Sequence, residues 1–114
     1  MRISGSTVIA PGVSPNLLQG LVGSIIRDPS SVDFFAVTDA TDGRITASLQ
    51  IDAESVLING GIPAGPGVGQ GPRDPEDVVV RNEAGPPGSI LTLTFTNSGA
   101  ATPVRWAVNV NPLV

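Results

Sequence analysis

The chain of 114 residues carries six Arg against ten Asp plus Glu, for a formal net charge of −4, and it contains no Lys, Cys, His or Tyr. Those absences exclude disulfides, thiolate nucleophiles and Cys-ligated metals, imidazole acid–base chemistry and His-ligated metals, and Schiff-base or P-loop lysines. The length allows one domain, and 14 Gly with 11 Pro point to a chain rich in turns and loops.

Residues 1–10 (MRISGSTVIA) place Ile3, Gly5, Thr7 and Ile9 on one face of an extended segment. With the linker APGVSP that follows, residues 1–13 are expected to form an extended N-terminal arm. Residues 14–29 then change period: Leu17, Leu18, Leu21, Val22, Ile25 and Ile26 recur at helical spacing. The pattern predicts one short helix around residues 15–27, with Ser14 as N-cap, Pro15 in the first turn and Pro29 as the stop. Gly20 and Gly23 each oppose a helix by about 1 kcal/mol relative to Ala. The alternative is a strand pair broken at Gly20.

Beyond Pro29 the period becomes two. Residues 33–38 (DFFAVT) read as a strand, residues 39–43 (DATDG) as a turn, and residues 44–51 (RITASLQI) as a strand with Ile45, Ala47, Leu49 and Ile51 inward. A hairpin is the natural expectation for this pair. Residues 55–59 (SVLIN) form a further short strand. Residues 60–77 (GGIPAGPGVGQGPRDPED) form a Gly/Pro-rich loop too long for an ordinary connection. Residues 78–83 (VVVRNE) resume the sheet, and AGPPGS over residues 84–89 turns it. Residues 90–97 (ILTLTFTN) put Leu91, Leu93 and Phe95 on one face and Thr92, Thr94 and Thr96 on the other. After SGAAT, residues 103–110 (PVRWAVNV) put Val104, Trp106, Val108 and Val110 inward. The fold class expected is mainly β: one small antiparallel sandwich or barrel of about six or seven strands with one short helix.

No constellation of residues supplies catalysis. The alternating glycines Gly65, Gly67, Gly69 and Gly71 satisfy no phosphate-loop spacing, and PRDPED after them blocks the helix such a site requires. Residues 39–43 depart from a calcium loop at Thr41, so Asx-turn capping is the reading for Asp39 and Asp42. Paired carboxylates alone could hydrolyse glycosides, but three Phe and one Trp leave few rings to stack on a sugar. We expect no enzyme, no cofactor and no metal. The arginines stand singly at Arg2, Arg27, Arg44, Arg73, Arg81 and Arg105, so no basic stripe exists and nucleic acid is not an expected partner. Neither a signal peptide nor a membrane span is expected, because no apolar run has the length either needs. Synthesis in the cytoplasm is the expectation. The uncharged Thr faces suit another sheet or a flat protein partner.

The N-terminal MRISGSTVIAPGVSP, the loop GGIPAGPGVGQGPRDPED, the acidity and the β-rich pattern together resemble the small head-decoration (cement) proteins of tailed bacteriophages. The resemblance implies a homo-oligomer, a trimer in such families, seated on capsid-protein junctions in the virion, with terminal arms extending neighbouring sheets and no catalysis. It does not imply the helix. The candidate interface residues are Ile3, Thr7 and Ile9 in the arm, Ile62, Val68 and Arg73 in the long loop, and Leu113 in the apolar C-terminal NPLV. Other small virion parts, such as fibre or connector subunits, fit the same features, and two other classes compete. A ligand-binding β-sandwich of carbohydrate-binding or adhesin type would show exposed rings near Asp or Asn, and a carboxylate-only hydrolase would show two acids in one cleft.

Overall fold

Alternating β-branched residues favour extended backbone, and each strand with one apolar face needs a second sheet to cover it. The computed structural model describes residues 2–21, 25–40, 42–52, 54–63 and 78–113, and among them it contains strands and no helix. The strands are β1 (Arg2–Ile9), β2 (Gly12–Val13), β3 (Ser30–Thr38), β4 (Ile45–Ile51), β5 (Glu54–Gly61), β6 (Val78–Gly85), β7 (Leu91–Asn97) and β8 (Thr102–Pro112). They form two four-stranded sheets in the orders β1-β8-β3-β6 and β2-β7-β4-β5, with every neighbouring pair antiparallel. The pairs β1–β8, β2–β7, β3–β6 and β4–β5 describe a single ribbon folded back at the β4–β5 hairpin. The pairings β8–β3 and β7–β4 then roll that ribbon into a sandwich. This is the strand order of a jelly roll.

The core lies between the sheets. Val32, Phe34 and Ala36 of β3 and Val104, Trp106 and Val108 of β8 face Ile45, Ala47 and Leu49 of β4 and Leu91, Leu93 and Phe95 of β7. Phe34 and Phe95 meet across the gap with ring centroids 6.3 Å apart. Each fully buried side chain of this size contributes about 1.5–3 kcal/mol. Gly5 lies opposite Trp106 in the β1–β8 register, and a Cβ there would stand 2.8 Å from the indole Cζ2. The ring therefore covers the bare backbone of Gly5, and any side chain would displace it.

Several sequence expectations are corrected. The stretch expected as an N-terminal arm is β1 over Arg2–Ile9, paired along its whole length with β8 of the same chain. Ile3 and Ile9 belong to this chain's own core. The helix expected around 15–27 is absent from the described part of that stretch, where the backbone bonds outward instead. The Ser14 and Leu17 N–H groups donate to the Phe95 and Leu93 carbonyls of β7, and the Ile26 N–H donates to the Ser89 carbonyl. The Asn16 carboxamide oxygen accepts from both the Leu18 and Leu93 N–H groups at 3.0 Å, and Ser14 Oγ accepts from the Phe95 N–H at 2.9 Å. Residues 17–20 form a turn with Gly20 at φ +78°, and no strand lies between Val13 and Ser30 among the described residues, so the alternative of a strand pair broken at Gly20 is not seen either. The apolar residues at helical spacing divide accordingly: Leu18 and Ile26 plug the end of the core, while Leu21 and Ile25 stay exposed.

The expected hairpin is also overturned, since β3 and β4 lie in different sheets. Residues 39, 40 and 42–44 lie at a corner between them, and residues 98–101 form a second corner between β7 and β8. The corners interlock. Asp39 N–H donates to the Pro103 carbonyl, Ser98 N–H to the Arg44 carbonyl, and Arg44 Nη2 to Thr102 Oγ1 at 2.7 Å. Buried Asn97 ties them to β1, donating through Nδ2 to the Ile9 and Ala100 carbonyls at 2.8 Å each.

Candidate protein-interaction surface

The two sheets present different outer faces. On the β1-β8-β3-β6 sheet, Phe35, Val37 and Ala107 point away from the core and are nonetheless buried. The guanidinium carbons of Arg2 on β1 and Arg81 on β6 stand 5.8 and 5.7 Å from the Phe35 ring centroid. Cations so placed are attracted by the ring's quadrupole. Buried Arg105 reaches Asp39, with Nη2 3.0 Å from Oδ1. Buried Asp33 accepts from the Asn82 N–H at 2.8 Å, where a bulge with φ +58° interrupts β6, and from Asn111 Nδ2 at 3.3 Å. The centre of this face is charged and closed, while Ser4, Ser6 and Val8 of β1 are exposed along its edge. Arg105 and Ala107, which strand alternation alone would put in water, are inside.

The outer face of the β2-β7-β4-β5 sheet is open and neutral. Its register sets Thr96 opposite Thr46, Thr94 opposite Ser48 and Thr92 opposite Gln50. Val13 extends the first rung, while Gly61 and Ser55 continue the first and last rungs onto β5. Short side-chain bonds tie β4 to β5: Ser48 Oγ accepts from the Asn59 N–H at 3.0 Å, and Gln50 Nε2 donates to Ser55 Oγ at 3.4 Å. The Thr and Ser hydroxyl rows are half-buried by one another, and the margins carry two exposed apolar residues, Val13 (72%) and Ile58 (70%). Among the described residues, none of those on these rungs is charged. The described charges lie on the other sheet, on the corners, or at the far end around Arg27, Asp28, Asp52 and Glu54.

The structure does not gather the expected interface residues into one site. Ile3 and Ile9 are core, and Thr7 shares their inward face, half-buried opposite Val104. Ile62 is half-buried against the core beside Pro63, whose carbonyl accepts the Thr38 N–H at one end of β3. Leu113 is exposed at the opposite end, its N–H donating to the Pro29 carbonyl. Val68 and Arg73 lie outside the described residues. Val13 and Ile58 escaped sequence reasoning, since neither stands out in its segment. The signal that could have found the face was the lack of charge at alternate positions of both 46–50 and 92–96.

No group of three or more carboxylates able to hold a metal occurs among the described residues. Several acids already have partners: Asp52 Oδ1 accepts the Ile90 N–H at 2.9 Å, and Asp42 lies 3.3 Å from Arg44 Nη1. No helix among them is long and apolar enough to cross a membrane. The described residues define an antiparallel β-sandwich of eight strands, with one outer face closed at its centre and one neutral, hydroxyl-rich and open. No protein-family model, curated protein or solved structure matches the chain.

Proposed function

We propose that this chain is a non-enzymatic structural subunit of a larger assembly, a capsid decoration protein that stabilises a viral shell through contacts with capsid protein and with its own copies. The neutral outer face of the β2-β7-β4-β5 sheet carries this reading. Interface centres are depleted in charge, and a flat row of Thr and Ser offers both methyl area and hydrogen bonds to a protein surface. Jelly rolls serve in viral capsids and also in lectins. The fold alone does not choose between them, so the side chains must.

They favour the structural reading. All four aromatic residues, Phe34, Phe35, Phe95 and Trp106, are buried, so no ring is presented for stacking on a sugar. The trimeric state and the virion location rest on the resemblance to head-decoration proteins. The test is cosedimentation with empty shells of the same virus's major capsid protein, alongside a glycan array. Saturable binding to shells, with a rise in their melting temperature, supports the proposal. A protein that stays in the supernatant and binds a glycan instead is a carbohydrate-binding module, and the proposal falls.

A further inference from the structure

We infer that the outer face of the β2-β7-β4-β5 sheet is a self-association face, on which a second copy of this chain stacks sheet against sheet about a twofold axis. The inference rests on the reading of the chain as an assembly subunit and names the surface and the occupant. Charge is the first reason. Each copy has a net charge of −4, so two copies repel on most approaches. The rungs of Thr96–Thr46, Thr94–Ser48 and Thr92–Gln50 make the broad face on which described residues bring no charge against charge.

Hydrogen-bond chemistry is the second reason. A carboxylate only accepts and a guanidinium only donates, so neither complements itself. A Thr or Ser hydroxyl does both. An identical row is therefore a complementary row, which is the condition an isologous twofold contact must meet. With the twofold axis along the strands, the β2 margin of one copy lies over the β5 margin of the other. Exposed Val13 and Ile58 then fall on the same sides of the contact and close both margins.

Size sets the strength. Three strands about 4.8 Å apart and about seven residues long at about 3.3 Å per residue, with the two-residue β2 beside them, give a footprint of roughly 350–400 Å² per copy. The total is below the roughly 1,000 Å² that a stable pairwise interface needs. The contact is therefore weak between free copies and becomes effective where several act together, as on a shell.

Sedimentation equilibrium tests this from about 10 μM to about 1 mM, the affinity range of so small a contact. The wild-type chain should show concentration-dependent dimerisation. Thr94→Arg, in the middle rung, brings an unpaired guanidinium from each copy into the contact and should weaken it by well over tenfold, roughly. Thr94→Val keeps the β-branched shape while removing the hydroxyl, which guards against a folding defect, and should weaken it less. Val8→Arg, on the other sheet, should dimerise as wild type does. A wild-type chain that stays monomeric throughout, or a folded Thr94→Arg that associates equally well, overturns the inference. Shell binding is scored separately. Dimers that ignore shells leave this inference standing and remove the virion reading. A monomer whose shell binding is lost in Thr94→Arg makes the face a capsid contact and overturns self-association.

Discussion

Adjacent residues of β1 separate a structural strand from a detachable arm. Ile9 is 2% exposed and sits in the core, whereas Val8 beside it points outward and is 61% exposed. An Ile→Ala change at a buried site costs about 2–5 kcal/mol, made up of lost transfer free energy and the cavity left behind. Ile9 lies on a sheet-edge strand whose neighbours can partly collapse, so about 2–4 kcal/mol is the appropriate range. For a chain of this length each kcal/mol shifts the melting temperature by roughly 3–6 °C, which puts the drop for Ile9→Ala near 10–20 °C. That is a large share of a total stability of about 5–15 kcal/mol. Val8→Ala should stay within about 0.5 kcal/mol of wild type. Thermal melts and urea titrations measure both, and the urea midpoint should move for Ile9→Ala with an unchanged slope. If both variants melt with wild type, β1 is not part of the fold and the core described here is wrong. By the same logic, deleting residues 1–10 should unfold the domain, since it strips β8 of its edge partner and the core of Ile3 and Ile9.

Asn16→Ala leaves the Leu18 and Leu93 N–H groups without their acceptor and should destabilise by about 1–2 kcal/mol in urea titration. In a helix the same change would stabilise by propensity, so a gain in stability would restore the helix over this segment. Asp39→Ala should cost about 1.5–3 kcal/mol, because it removes a charge-assisted bond to buried Arg105, while Asp42→Ala, at an exposed ion pair with Arg44, should cost no more than about 1 kcal/mol. Equal losses at the two positions would mean that the Asp39–Arg105 contact is not buried in solution.

Much of the fold was legible, and the failures share a physical cause. Strands β4 and β7 have one face on the core and one in water, so their alternation named the inward residues correctly. On β1, the face of Ile3, Gly5, Thr7 and Ile9 was also read correctly. What could not be read was the partner of that face, because Arg2 pairs with Asn109 at the other end of the chain. Strand β3 is buried on both faces from Val32 to Thr38, and period-two reasoning carries no information about its second cover. The sequence between β3 and β4 has the Asp and Gly of a hairpin turn. Contacts to Pro103, Ser98 and Thr102, remote in sequence, make it a crossing between sheets instead. In the segment expected as a helix, Leu17, Leu18 and Ile26 pack on the core, and bonds from Ser14 and Leu17 to β7 and from Ile26 to Ser89, with single turns at Gln19 and Leu21, stand where a helix would bond to itself.

On the proposed reading of the chain as an assembly subunit, the placement of β1 also narrows how such an assembly can be built. An arm that extends a neighbour's sheet must be free, and here Arg2–Ile9 completes its own sheet. The second outer surface is no better suited, since the face around Phe35, Arg105 and Asp33 is already buried and engaged in internal bonds. Among the described residues, the broadest exposed sheet surface is the neutral face with its margins, beside the narrower exposed edge of β1. A contact through rows of Thr and Ser gives up little by being in water, because the hydroxyls are hydrated there, and gains little by being covered. Such a surface suits repeated, reversible contacts better than one strong pair. Occupancy on a shell should therefore rise steeply with the number of sites filled, while the free chain associates only weakly.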